Sequence, residues 1–314
     1  MIVITGAAGF IGSRMVQHLN ESGRSDLVLV DDFSVVQTCH DTSLQGLRYV
    51  EKIPRDLFFD WLTLYQQKVD FIIHLGSEID TLSADHTYFQ EQILEFSQRL
   101  WSFAAMNRIP LLFAAAPTEA KCHWTGHEWA GWENGVSQAE RLKRQFDQWV
   151  LKQRVMPPLW AGFAMPEVYG PNESHLGDAA SSVFQLFRQW QQEGRMVIPV
   201  YEKSEYSDRE PLMDRIFVKD VATVFTWFVN HLPASGFYYL GTGYPRPLSA
   251  VATAIFSALK LPPKVEYQII SSTDTRFPQE NNPLVLNRIN RIGYKKNFTP
   301  LEKGVRLFVK NILK

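Results

Sequence analysis

The chain is poor in cysteine, with two in 314 residues, Cys39 and Cys122, far apart in sequence. That scarcity argues against a disulfide-stapled scaffold and fits a reduced, cytoplasmic protein. A charge excess is also missing. Lys and Arg total 32 against 33 Asp and Glu, a formal net charge of −1, so no global field recruits nucleic acid or an anionic membrane. No apolar run reaches the roughly 18 residues that a bilayer-crossing helix needs. The opening residues lack the basic stretch of a signal peptide, and their short apolar run leads straight into glycines. There is no internal repeat and no low-complexity tract. What is present is length enough for one large or two smaller domains. Nine Trp and 21 Phe read mostly as core or contact surface, because aromatics are the largest apolar contributors.

The organising stretch is Met1-Ile-Val-Ile-Thr-Gly-Ala-Ala-Gly-Phe-Ile-Gly12. Ile2 to Ile4 predicts a strand buried on both faces, and an amphipathic run ending near Gly23 predicts a helix. Between them lies a G-x-x-G-x-x-G string, which is informative only in this strand–turn–helix setting. Gly6 makes the tight turn, Gly9 lets a pyrophosphate approach the backbone, and Gly12 lets helix pack on strand. The N–H groups of Phe10 and Ile11 then open a helix N-terminus toward the phosphates. Leu27 to Val30 predicts a second buried strand that ends in Asp31-Asp32, about 20 residues past the glycines. Asp31 in that place accepts from the ribose hydroxyls of NAD, while Asp32 reads as a turn cap. Phe33 to Ser43 contains no Lys or Arg to receive a 2′-phosphate, so NAD is expected over NADP.

Strands and helices alternate through the first half. Leu47 to Val50 predicts a short strand, Leu57 to Lys68 a helix, and Asp70 to Leu75 a buried strand that leads into Gly76. Leu75 and Gly76 thereby join the cofactor candidates. His86 to Asn107 predicts one long helix, Pro110 to Ala116 a strand, Val136 to Gln153 a helix and Pro158 to Met165 a strand. This rhythm predicts an α/β fold, a doubly wound parallel Rossmann sheet with ligands at the strands' C-terminal ends. Beyond Pro166, prolines punctuate shorter elements, which predicts a smaller C-terminal substrate lobe. The expected division is 1–165 for the NAD-binding domain, with return segments near 214–241. Residues 166–213 and 242–314 form the substrate side, and Ile216 to Val218 and Phe237 to Leu240 return to the sheet.

With Thr5 to Gly12, Asp31 and Val168-Tyr-Gly-Pro171 in hand, the chain resembles the extended short-chain dehydrogenase/reductases. Ile216-Phe-Val-Lys-Asp-Val221 and Phe237-Tyr-Tyr-Leu-Gly-Thr-Gly243 look like two further segments of that family. Within it, Tyr169 to Val183 and Arg276-Phe-Pro-Gln279 look most like the ADP-glyceromannoheptose 6-epimerases. The resemblance implies transient hydride transfer to NAD, a Tyr as acid or base, a Lys four residues later, and a Ser or Thr that orients substrate. It also implies a nucleotide-sugar ligand, and a homodimer formed by the helices after the fourth and fifth strands.

The chain departs from this pattern at several positions. Phe146-Asp-Gln-Trp-Val150 sets the register, so Lys143 is present and its Tyr becomes Ala139. The Ser position falls on Ala116, a second basic catalyst on Leu176, and an Asn near the sugar-nucleotide phosphates on Glu167. Arg276 keeps one phosphate-competent guanidinium. Losing three groups that each contribute about 10²–10⁴ in rate predicts a protein without the customary epimerase chemistry, a sensor or partner subunit. Lys143 would then serve the nicotinamide ribose. The insert Thr118 to Trp129 holds Cys122, His123, His127 and Glu128, and His123 or His127 could supply acid–base chemistry in place of the Tyr. Gly126 and the two Trp argue against the helix a metal pair would need, so no metal is expected. Glu78 and Asp80, after the fourth strand, would join Glu167 in an acidic pocket, or simply cap loops.

Overall fold

β1 (Ile2–Thr5) is a run of four residues, all buried, and burial on both faces makes it a central strand. The computed structural model describes residues 1–33, 43–76, 86–116, 123–124, 129–130, 138–201, 210, 212–270 and 288–313. Around β1 stand β2 (Leu27–Asp31), β3 (Glu51–Pro54), β4 (Phe71–His74), β5 (Leu111–Ala114), β6 (Trp160–Ala164) and β7 (Gly236–Tyr239). They form one seven-stranded sheet in the order β7-β6-β5-β4-β1-β2-β3. The β1–β2, β2–β3, β1–β4, β4–β5 and β5–β6 pairs are all parallel. This is the doubly wound sheet that the alternating rhythm implied. Its strand order reverses between β1 and β4, the switch point at which open α/β sheets leave a crevice.

By contact density the chain divides into two units. The first comprises Met1–Ala116, Ser137–Ala164 and Val221–Tyr238, and holds the sheet. α1 (Phe10–Glu21) buries Phe10, Gly12, Met15, Val16 and Leu19, the three-and-four spacing of one helical face. α2 (Phe58–Tyr65) buries Phe58, Phe59, Trp61 and Leu62 and is flanked by single 3₁₀ turns. α3 (Phe96–Met106) and α4 (Gln138–Leu151) cover β4 and β5 with an aromatic cluster: Trp101, Phe113, Phe146 and Trp160 meet edge-on or stacked. Of the apolar residues on the helices that the resemblance implies for a dimer, and which could equally be core, Phe89, Leu100, Trp101, Phe146 and Val150 are buried inside this unit, while Phe96 and Trp149 are half-buried.

Three elements differ from expectation. The third strand is Glu51–Pro54, one residue beyond Leu47 to Val50. Val50 is exposed, and its N–H joins the ladder by donating to the Leu27 carbonyl at 2.8 Å. An edge strand needs only one inward residue, here Ile53, so the apolar cue pointed too early. The segment from His86 is not α-helical throughout but widens into a π-helix over Gln90–Glu95. Along this segment Phe89, Ile93 and Ser97 are buried, while half-buried Phe96 packs on Phe58, Phe59 and His74. The third difference is Arg215–Phe217, which pairs in parallel with Glu167–Tyr169 in a separate two-stranded sheet. Val218 already begins the helix Val218–His231, so this segment is too short to reach the main sheet.

The second unit comprises Pro117–Val136, Met165–Asp220 and Tyr239–Lys314. Its core packs α5 (Ser182–Glu193), α6 (Leu248–Leu259) and α7 (Leu301–Ile312) through Phe187, Val251, Ile255, Val305 and Phe308. Met196–Tyr201 and Val265–Ile270 pair in parallel beside them. Gly304 admits Tyr169 to this core, because a Cβ there would lie 2.0 Å from the Tyr169 hydroxyl.

Candidate functional site

In the first unit the glycine turn sits at the switch point. Gly6 has φ +69°, and a Cβ on it would lie 2.5 Å from the Gly76 nitrogen. Only glycine satisfies both the backbone angle and the space. A Cβ on Gly12 would lie 1.8 Å from the Gly6 carbonyl oxygen, so α1 can close on the turn only without one. Gly9 is the N-cap of α1 and offers no side-chain cap to its first-turn N–H groups. Such an uncapped N-terminus is suited to an anion. Phe10 is buried and Ile11 half-buried behind it.

Asp31 ends β2 beside this turn. Its Oδ2 accepts from the Ala8 N–H at 2.8 Å and its Oδ1 from the Asp32 N–H at 2.9 Å. A carboxylate has about four acceptor positions, so two backbone donors leave capacity for hydroxyls. Leu75 donates its N–H to the Thr5 carbonyl at 3.0 Å, which holds the end of β4 against the end of β1.

Beneath this turn runs a buried polar chain that sequence reasoning missed. Thr5 Oγ1 lies 2.6 Å from His74 Nδ1, and His74 Nε2 lies 3.0 Å from Ser97 Oγ. Ser97 donates onward to the Ile93 carbonyl within the π-helix. Burial first, then the charges of Arg55 and Lys143, push the imidazole down to about 3. His74 is therefore neutral, a hydrogen-bond relay between two strand ends and a helix. Its place at the end of a buried strand was the available signal.

Lys143 enters the same region from α4. It lines a small cavity with His74, Leu75, Gly76, Ser97 and Ala114. Burial pushes its ammonium below the usual lysine range, opposed first by the carboxylate of Glu140. One turn on, buried Asp147 accepts the Ala116 N–H at 2.9 Å. Burial pushes that carboxyl up to about 8, so it is largely protonated near neutrality. Ala116 is buried, and Ala139 packs against Phe89, Ile93 and Leu142.

The second unit carries its own polar centre. Glu167 Oε2 lies 2.7 Å from Arg215 Nε and accepts from the Ser182 hydroxyl at 2.6 Å, while Oε1 accepts from the Ser182 N–H at 2.8 Å. Leu176 lies half-buried on a 3₁₀ helix, Ser174–Ala179. Glu173 clips the two ends of this loop by accepting from the N–H groups of Gly170 at 3.0 Å and Ser181 at 2.8 Å. Burial pushes the Glu173 carboxyl up to about 7. Arg215, Arg246, Tyr244, Asn290 and Lys296 contribute to a cavity of about 480 Å³ in this unit.

His123 stands on a two-residue strand, His123–Trp124, paired antiparallel with Trp129–Ala130. Cys39, Glu78, Asp80, Cys122, His127, Glu128 and Arg276 lie outside the described residues. Among the described residues, no group of three His, Cys, Asp or Glu could hold a metal ion, and no helix is long and apolar enough to cross a membrane.

Comparison with known proteins bears on this geometry. The profile of the NAD dependent epimerase/dehydratase family matches residues 2–241. An ADP-L-glycero-D-manno-heptose-6-epimerase of Nitratidesulfovibrio vulgaris is 30% identical over 325 aligned positions, covering all of this chain and 98% of the relative. The enzyme of the same name from Fusobacterium nucleatum is 28% identical over 333 positions, with the same coverage. The crystal structure of the Helicobacter pylori ADP-L-glycero-D-manno-heptose-6-epimerase superposes with TM-score 0.77 at 21% identity, covering 99% of this chain and 96% of that one. A UDP-N-acetylglucosamine 4-epimerase from Methanobrevibacter ruminantium, in complex with UDP-N-acetylmuramic acid, gives 0.79 at 18%, covering 99% and 97%. The Thermus thermophilus UDP-glucose 4-epimerase, a complex with NAD, gives 0.70 at 18%, covering 99% and 98%.

Proposed function

The chain belongs to the NAD dependent epimerase/dehydratase family, and from that premise we propose that it binds NAD without running the family's epimerase chemistry. The residues of the first unit fit the cofactor. Gly6, Gly9, Phe10, Ile11 and Gly12 would receive the pyrophosphate, Asp31 the adenosine ribose, and Leu75, Gly76 and Lys143 the nicotinamide side. Bound there, NAD would supply a hydride acceptor.

The observation that carries the reading is the surroundings of Lys143. Its cavity offers an amine, a neutral imidazole already bonded at both nitrogens and a serine bonded to the backbone. Among the described residues no phenol stands there. The residue one turn before Lys143 is the methyl of Ala139, packed on apolar neighbours. Ala116 presents a second methyl, and its N–H is held by Asp147. Among the described residues, no phenol or free hydroxyl stands beside Lys143 to exchange a proton with a sugar hydroxyl. A sensor of NAD and a sugar-bearing small molecule, or a partner subunit, is the role this leaves.

Thermal shift with NAD tests the binding half, and a midpoint unmoved by NAD ends the proposal. Incubation of the NAD-bound protein with ADP-heptose or UDP-hexoses tests the other half. The expected result is no reduced-nicotinamide absorbance and no change in sugar stereochemistry. Sustained turnover would instead favour an active enzyme with a replacement group, and His123 and His127 would be the first to mutate.

A further inference from the structure

The carboxylate of Glu167 sits where chemistry alone would seat a bound oxyanion. It takes the Ser182 N–H at 2.8 Å and the Ser182 hydroxyl at 2.6 Å, at the first residue of α5. It also takes the Nε–H of Arg215 at 2.7 Å. A helix N-terminus, a hydroxyl and a guanidinium are the donors with which proteins hold phosphate groups. Here the anion that meets them belongs to the chain.

Arg215 shows how far this seat is committed. Its side chain is 2% exposed. Nη1 donates to the carbonyls of Met213 at 3.1 Å and Arg246 at 2.8 Å. Nη2 is buried with no hydrogen-bond partner among the described residues. A buried guanidinium deprived of a counter-anion costs far more than one that is paired, so Glu167 is needed unless a ligand replaces it. Arg215 also lines the cavity of about 480 Å³ in this unit.

We propose that Glu167 is a built-in anion that occupies the oxyanion seat between the start of α5 and Arg215, and so excludes a ligand phosphate from the C-terminal unit at that place. A phosphate arriving there would have to displace a carboxylate already holding three donors and would meet its negative charge. The remaining Nη2, with two N–H donors, belongs to a cation that is already neutralised, which suits a neutral acceptor better than a diphosphate. This inference rests on the C-terminal unit alone and stands apart from the NAD reading.

Titration calorimetry with inorganic pyrophosphate, on protein saturated with NAD, tests it. NAD keeps the glycine turn out of the measurement, and any failure of NAD to bind is read separately before pyrophosphate is added. Wild type is expected to show no binding at this seat. Glu167→Ala and Glu167→Asn are each expected to bind pyrophosphate on the order of ten- to a hundredfold more tightly, the worth of restored charge-assisted hydrogen bonds. Variants with wild-type circular dichroism that bind no better than wild type overturn the proposal. Should both variants fail to fold, the wild type decides: no binding supports it, and binding that Arg215→Lys abolishes overturns it.

Discussion

Asp147 holds the backbone N–H of Ala116 at 2.9 Å from one turn beyond Lys143. That bond joins the end of β5 to α4, and it does so from a buried carboxyl. Burial pushes this group up to about 8, against the hydrogen bond and the charges of Lys143 and Arg144. In the unfolded chain an ordinary Asp titrates near about 4. Between those values the folded protein holds a proton that the unfolded chain has released. The contribution of Asp147 to stability is therefore full below about pH 4 and falls as pH rises toward 8. Asp147→Asn keeps an acceptor for Ala116 and removes the titration. Its thermal midpoint should fall less steeply than wild type from pH 5 to 8, and the variant should be the more stable one at pH 8. Parallel slopes would show that the carboxyl is already ionised.

His74 acts in the opposite sense. Its folded value, about 3, lies below the ordinary histidine value of about 6.5, so on acidification the unfolded chain binds the proton first. The stability that depends on neutral His74 is full above about pH 6.5 and is lost as pH falls toward 3. Its ring resonances should stay constant from pH 8 to 5. His74→Phe gives up the bonds to Thr5 and Ser97 and should cost about 1–3 kcal/mol in urea unfolding, because buried partners are left unpaired. The same variant should also flatten the acid limb. A ring that titrates near pH 6.5 would mean that water reaches the network.

Gly6 and Gly12 separate space from angle. Gly6→Ala meets both obstacles, φ +69° and a Cβ 2.5 Å from the Gly76 nitrogen. Gly12→Ala meets only space, with its Cβ 1.8 Å from the Gly6 carbonyl oxygen. In each, either α1 or the end of β4 must move. NAD binding should weaken by at least about tenfold in both, as expected when positioned backbone donors shift by a fraction of an ångström. Gly23→Ala is the control for angle alone, since its φ is +87° but nothing lies within 4 Å of its Cβ position. Calorimetry that finds NAD affinity unchanged in Gly6→Ala would place the cofactor elsewhere.

How much of this was legible follows from the kind of interaction. The run Ile2 to Gly12 declares itself because strand, turn and helix leave separate local marks. The π-helix over Gln90–Glu95 does not, because one extra residue per turn leaves the apolar count unchanged. The Thr5–His74–Ser97 chain links residues 69 and 23 positions apart, and no periodicity encodes such a contact. Glu167 was visible as a charge beside Val168-Tyr-Gly-Pro171. Its partner Arg215 lies 48 residues on, so the carboxylate read as unpaired acid when it is one half of an ion pair.

Putting the missing groups back tests the claim that they are missing. Ala116→Ser and Ala139→Tyr would restore a hydroxyl at the end of β5 and a phenol one turn before Lys143. A lysine ammonium near a phenol lowers its pKa, and the phenolate in turn would favour the charged form of Lys143 against the burial that pushes its pKa down. One acid–base group contributes about 10²–10⁴ in rate, so the NAD-bound triple variant that also carries Glu167→Asn, supplied with ADP-heptose, should form reduced nicotinamide at least a hundredfold faster than wild type. Ala139 already touches Phe89, Ile93 and Leu142, and a ring there should cost about 1–3 kcal/mol by overpacking, which NAD binding must offset. If Glu167 fills the phosphate seat, the gain should be small until Glu167→Asn is added and large afterwards. Equal gain with and without Glu167→Asn would show that the substrate's phosphates bind elsewhere. No gain in a folded, NAD-binding triple variant would show that Ala116 and Ala139 do not stand at the catalytic positions.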